Sequence, residues 1–344
     1  MARIRYTRTD TPTLGVSVFC CIGDRIRLSR YNGSIRGRTD VGYVVDVKFE
    51  PPNELLSSLH AYICKKSYKK IDLTESWAEQ TRGRLTASLA GLLDQTEADG
   101  DWKTTHLLVQ LCPNKAAPED FAAWLDGLTT GDLYDLIAEY GNQFPENMGH
   151  YRSKTLSIFS GWHQQYFQHT DPAILDALRR EEHNRTKELP HEDQTESFID
   201  ETTNGLVFHP MPGLERIILI PSYHFQPINR VFHYGKMTVC YYSARIDLSG
   251  EDFLSAHDYR MIRSLGEKSR LKILRYLHQG PRSFIEIVRH LELSKGITHD
   301  HISKLRSAGL IRAHFAGETL TVYSLRPGAL ELMQKKLLEY IGQD

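Results

Sequence analysis

The sequence predicts an α+β chain, an acidic body of mixed helix and sheet followed by a basic, mostly helical C-terminal module. Three observations carry this. The charge is segmented, with 8 basic and 3 acidic residues over 1–40, 19 and 31 over 41–255, and 15 and 9 over 256–344. The net charge of −1 over 344 residues therefore conceals an acidic centre and a basic end, a balance suited to two different kinds of partner. The apolar pattern also changes twice, from helical spacing to short β-branched runs near Glu196, and back to helical spacing at Ala256. A linker is expected around Asp247–Ser255, with Gly250-Glu251-Asp252 at its centre.

Residues 1–40 are rich in Arg, Thr and Gly, are broken at Pro12, Gly15, Gly23, Gly33 and Gly37, and hold no sustained period. They are expected to be a disordered or non-native extension, dispensable for folding. Residues 41–250 are expected to form an α+β sensor or interaction domain. Tyr43-Val44-Val45-Asp46-Val47-Lys48-Phe49 reads as a strand, and Pro51-Pro52 leads into a helix from Asn53 to about Lys65. Apolar groups at helical spacing follow at Leu85/Leu89/Leu92, Phe121/Leu125, Leu133/Ile137 and Leu156–Phe167, then a charged helix over Asp171–Leu189. Gly205–Phe208, Arg216–Ile220 and Met237–Tyr242, bounded by Pro210, Pro212-Gly213, Pro221 and Gly235, read as the strands of one small sheet.

Residues 256–344 carry the clearest signal. Leu271, Ile273, Leu274 and Leu277 form a stripe on one helix that Gly280-Pro281 ends. Ser283 with Glu286 is a capping box ahead of Phe284, Ile287, Val288 and Leu291, which share a helix face. Ser294 can cap a third helix whose Thr298, Ile302 and Leu305 point inward and which Gly309 stops. Two short helices joined by a tight turn make a helix-turn-helix. Ile311–Phe315 and Thr319–Tyr323 alternate around Gly317-Glu318 as a hairpin, or wing, so the basic module reads as a winged helix-turn-helix and as the nucleic-acid candidate of the chain. Pro327 opens a last helix with the seam Leu330, Met333, Leu337 and Ile341.

Leu265–Leu274 together with Leu293-Ser294 to Leu305–Ile311 resembles the winged-helix domain of the ArsR family of bacterial transcriptional regulators, over about the last 85 residues. The resemblance implies a homodimer paired through the first and last helices of the module and reading a palindromic operator in double-stranded DNA. The expected dimer contacts are Tyr259, Ile262 and Leu265 with Leu330, Met333, Leu337 and Ile341. The body from Val41 to about Arg245 resembles the uncharacterised region found ahead of such domains in some bacterial regulators, which brings no known activity.

In the third helix of the module, Gly296, Asp300, Ser303, Lys304 and Ser307 lie opposite the buried stripe, flanked by His299 and Arg306. These are the side chains a major groove would meet. Lys295, Lys304, Arg306 and Arg312 suit phosphates, and Ser303 and His299 suit base edges. Asp300 departs from the neutral or basic residue usual in the family and could accept from a cytosine amino group. Glu318 at the wing tip stands where basic residues are common, which leaves Arg312, His314 and Thr319 as the wing contacts. The alternative is a solvated helix face, and with it a protein-interaction module that does not read DNA.

His299 and His301 are two apart on a helix and make a poor chelate, and no metal or other cofactor is expected. Trp77, Trp102, Trp124, Trp162, Tyr166 and Phe167 are expected in the core rather than lining an effector pocket, although a small-molecule or protein effector of the body is the natural input of a regulator. No phosphate loop, nucleophile elbow or metalloprotease pattern is present, so no enzyme is expected. Cys20, Cys21, Cys64, Cys112 and Cys240 are odd in number and lack close pairing across a C-x-x-C. With no apolar run approaching a membrane span, they point to a reducing, cytoplasmic setting.

Overall fold

Glu50 precedes two prolines that fit the first turn of a helix, where no backbone donor is needed, and α1 runs over Pro51–Ile63. In the computed structural model, residues 42–64, 68, 70–140, 143–190, 194–248 and 254–342 are described. The expected extension 1–40 lies outside them. Helix α1 is buried along its length from Pro52 and forms the axis of the helical part of the body. Around it stand α2 (Thr74–Arg82), α3 (Ala87–Asp94), α4 (Gly100–Leu111), α5 (Pro118–Gly127), α6 (Thr130–Tyr140) and α7 (Met148–Gln165). Leu55, Leu59, Phe121, Phe159 and Trp162 meet in its core. The charged helix α8 (Pro172–Lys187) is capped by Asp171, and α9 spans Thr195–Thr203.

Four strands build the body's sheet in the order β1 (Val44–Val47), β3 (Arg216–Ser222), β5 (Met237–Ser243) and β4 (Arg230–Tyr234). The first three are parallel and β4 returns antiparallel to β5. Strand β3 is apolar without alternation because both faces are covered. Ile217 and Leu219 pack towards the C-terminal module, whereas Ile218 and Ile220 pack on Phe225, Phe232 and Leu107. Strand β4 was not among the expected strands. Its mark is the run Val231-Phe232-His233-Tyr234 before Gly235, which adopts φ +50° in the two-residue turn into β5.

The segment β2 (Leu206–Phe208) does not join this sheet, which corrects the expectation of a single sheet for the three runs. The module comprises α10 (Ala256–Leu265), α11 (Lys268–His278), α12 (Phe284–Leu291), α13 (Lys295–Ser307), β6 (Ile311–Ala316), β7 (Thr319–Leu325) and α14 (Ala329–Ile341). β2 pairs parallel with β6, with Leu206, Val207 and Phe208 opposite Ala313, His314 and Phe315. Gly205 makes the approach possible. Its φ is +111°, and a Cβ there would sit 2.8 Å from the Ile311 carbonyl oxygen. Gly205→Ala is therefore expected to destabilise the protein by about 2 kcal/mol, read as a lower urea midpoint.

One hydrophobic core unites the two regions. Phe198, Ile199, Leu206 and Phe208 pack in the same cluster as Ile217, Ile273, Ile287, Ile302, Leu305 and Phe315. Of the expected linker, 249–253 lies outside the described residues, and its flanks do not separate two cores.

Two details of the module differ from expectation. Leu271 is 48% exposed, and its place in the inner stripe of α11 belongs to Arg270, whose guanidinium donates to the carbonyls of Ser264 and Arg263. Pro327 lies ahead of α14, which starts after Gly328 in the left-handed region. The Ser283–Glu286 capping box and the Ser294 cap form as read from the sequence.

Candidate nucleic-acid interface

Helix α12 ends at Glu292, whose left-handed φ of +56° turns the chain through Leu293 into α13. The Ser294 hydroxyl accepts from the Ile297 amide and starts the helix. Thr298, Ile302 and Leu305 face the core and are at most 1% exposed. This anchoring presents Lys295, Gly296, Asp300 and Lys304 to solvent. Lys304 Nζ donates to Asp300 at 2.7 Å, so the one acidic side chain on this face is paired one turn along with a base.

The rest of the expected groove face is divided. His299, Ser303 and Arg306 are half-buried, and with Ser307 they line a cavity of about 100 Å³ closed from the body's side by Lys70, Asn229 and Arg230. His301 turns the other way, with Nδ1 3.5 Å from Glu267, so the H-x-H pair diverges. Among the described residues no group of three His, Cys, Asp or Glu is placed to hold a metal ion.

The hairpin is engaged by the body, which the sequence did not foretell. The Arg312 guanidinium donates to Asp200 Oδ1 at 2.7 Å, and the Arg326 guanidinium reaches Oδ2 at 2.9 Å. Arg326 also donates to Asn204 Oδ1 at 2.8 Å. A Cβ at Gly309 would fall 2.1 Å from that same Asn204 oxygen, which explains why glycine ends α13. His314 stacks on His209 and lies 2.8 Å from the Ser324 hydroxyl. At the tip, Glu318 pairs with Lys103 at 2.7 Å, and Gly317 packs beside His233 and Met211. Arg312 and His314 are thus committed within the chain, and Thr319 is half-buried. The cause is the β2–β6 pairing, which brings Asp200 and His209 alongside the hairpin. Asp200, Arg326 and Lys103 were not among the expected site residues, because their partners are more than 100 positions away.

The expected dimer seam is divided too. Tyr259, Leu330 and Ile341 are 54%, 38% and 69% exposed, whereas Ile262, Leu265, Met333 and Leu337 are half-buried, Leu265 and Met333 against the module's own core. Leu332, Leu338 and Tyr340 add to the exposed apolar surface of α14. Of the aromatic residues expected in the core, Trp102, Trp162 and Phe167 are buried and Trp124 is half-buried, but Trp77 and Tyr166 border an open cleft.

Burial, followed by the neighbouring His209 and Arg312, holds His314 down to about 4, and burial holds His106 down to about 3. Both lie below the usual value near 6.5, so the unfolded chain binds more protons between those limits. Stability is expected to be full above pH 6.5 and to fall as the pH drops towards 4. Urea unfolding at stepped pH measures this, and a flat profile would contradict it.

Among the described residues no helix is long and apolar enough to cross a membrane. Residues 267–313 match the family described as bacterial regulatory protein, arsR family. No curated protein and no solved structure matches the chain. The matched segment runs from the N-cap of α11 through the helix-turn-helix into β6, so the C-terminal region of this α+β chain is an ArsR-family helix-turn-helix domain.

Proposed function

We propose that the protein is a cytoplasmic transcriptional regulator that binds an inverted-repeat operator in double-stranded DNA as a homodimer, with the body as its sensor for an effector. The observation that carries this is the solvent face of α13, mounted on a buried Thr298/Ile302/Leu305 stripe within the family-matched segment. Lys295 and Lys304 meet phosphates there and Asp300 faces base edges, whereas His299 and Ser303 reach base edges, and Arg306 the flank, only if the body's Lys70, Asn229 and Arg230 move off them. The hairpin β6–β7 serves as the wing, and Arg312, His314 and Thr319 reach DNA only if its tip leaves the body. The exposed apolar side of α14, with Tyr259 of α10, supplies the two-fold contact. The chemistry needs no cofactor, metal or enzymatic step.

A second reading, a protein-interaction module, is favoured by the Glu318–Lys103 and Arg312–Asp200 pairs, which spend the wing's charges inside the chain. Selection of bound sequences from random duplexes, followed by salt titration, separates the two. Lys295→Ala is expected to weaken binding to all sequences alike and to reduce the slope of log K against log salt by about 1 per half-site, hence about 2 for the dimer. Absence of salt-dependent duplex binding would favour the second reading.

A further inference from the structure

The body carries a cleft of about 620 Å³, bordered by α2, the C-terminal end of α7 and the connection from β3 to β4. Its volume lies within the roughly 300–1,000 Å³ usual for small-molecule sites. Four rings form its apolar wall. Trp77 and Tyr166 meet edge to face at 5.8 Å, and His224 stands 5.9 Å from Trp77, 5.8 Å from Tyr166 and 5.4 Å from Tyr223.

The polar atoms of three of these rings are spent on one another and on Glu54. Trp77 Nε1–H donates to the Tyr166 oxygen at 2.9 Å, and Tyr166 Oη lies 2.8 Å from His224 Nε2. His224 Nδ1 is 2.6 Å from Glu54 Oε1, which also accepts the backbone amides of Tyr223 and His224. These three rings thus spend their donors inward, along a chain that ends on the fully buried Glu54 carboxylate, and stand beside the polar Gln80, Gln164 and Arg84 of the cleft wall. Carboxylates stand near Tyr223. Burial, then Asp72, Glu54, Asp171 and Asp247, raises the Tyr223 phenol. Asp171 lines the cleft and accepts the α8 amide of Ala173, and Arg84 is the one Lys or Arg among the described lining residues. Electron-rich rings beside a carboxylate attract organic cations, whose charge is too diffuse to require directed hydrogen bonds.

The cleft is also wired to the helix-turn-helix. Tyr223 and His224 open the β3–β4 connection, and Ile228 and Asn229 at its far end line the cavity against His299, Ser303 and Arg306 of α13. On the other side, Asp72 accepts the Arg260 guanidinium of α10 at 2.7 Å, and its amide donates to the Gln226 carbonyl of the connection.

We propose that this cleft binds an alkylated ammonium cation against Trp77, Tyr166 and Tyr223, and that the β3–β4 connection carries its occupancy to α13. The second half rests on the regulator reading above, whereas the first does not.

Calorimetry on the full-length protein without DNA tests the site, with tetramethylammonium, choline and benzyltrimethylammonium as probes. At least one is expected to bind saturably, and 3,3-dimethyl-1-butanol, the uncharged isostere of choline, is expected to bind at least about tenfold more weakly than choline. Asp171→Asn keeps the helix cap and should weaken the cations. Arg84→Gln removes an opposing charge and should strengthen them. Trp77→Phe keeps a ring face and should retain most of the affinity that Trp77→Leu loses, thermal melts confirming that each variant folds. No saturable binding of any cation to the folded protein, equal binding of the isostere, or a weakened Arg84→Gln protein would overturn the site. Hydrogen exchange with bound probe should slow at both 223–229 and 299–307. Protection confined to the first segment would overturn the coupling. Loss of the regulator reading would appear separately, as a protein that binds the cation but no duplex.

Discussion

Replacing Asp200 by alanine is expected to cost about 3 kcal/mol of stability, a large effect for one side chain. The Asp200 side chain is 8% exposed and accepts from Arg312 on one oxygen and Arg326 on the other. Arg326, itself 11% exposed, would be left with a guanidinium that has lost its carboxylate in a site closed to water. Removal of one partner from such a group is costly because the desolvation is retained and the compensation is not. Asp200→Asn keeps an acceptor and should cost less. Urea unfolding gives the magnitude, and hydrogen exchange at Leu206–Phe208 shows whether the β2–β6 seam loosens first. A loss below about 1 kcal/mol would mean that the arginines find other partners.

The second large effect concerns self-association. Leu338 and Ile341 are 60% and 69% exposed, so changing both to Asp should leave the folding of a single chain nearly unchanged. In a two-fold interface built on α14 the same change places four carboxylates in an apolar contact, and the dimer should weaken by at least about a hundredfold. Sedimentation reads the assembly and thermal melting reads the fold. Leu337→Asp is a poorer probe, because Leu337 is half-buried in the single chain and its loss mixes the two effects. A double variant that stays dimeric would place the interface elsewhere.

The module was legible residue by residue because its determinants are local. A capping box spans four residues, a helix stripe repeats every three or four, and the turn at Gly317 lies between its two strands. The same locality explains what was misread. Arg270 replaces Leu271 on the inner face of α11 because its guanidinium satisfies carbonyls at the end of α10, and hydrophobicity alone ranks leucine first. Strand β2 reads as apolar wherever it pairs, so its three residues could not reveal that their partner is β6 rather than β3. The committed state of Arg312 and His314 follows from that pairing and was equally hidden. In the candidate interface, the buried stripe of α13 and its exposed Lys295, Asp300 and Lys304 were legible from helical geometry, whereas the cover over His299, Ser303 and Arg306 comes from the body.

The parallel β2–β6 ladder also sets an order of events during synthesis. Phe208 leaves the ribosome about a hundred residues before Ile311, which at roughly 5–20 residues per second is a wait on the order of 5–20 seconds. Throughout it, the backbone of β2 has no strand partner, and Gly205 has no backbone to approach. The helical cluster around α1 can close on its own residues meanwhile, because its members all lie between Leu55 and Phe167. The nascent chain is therefore exposed to mispairing along one short strand late in translation, and the final hundred residues act on their own precursor as the chaperone that covers it.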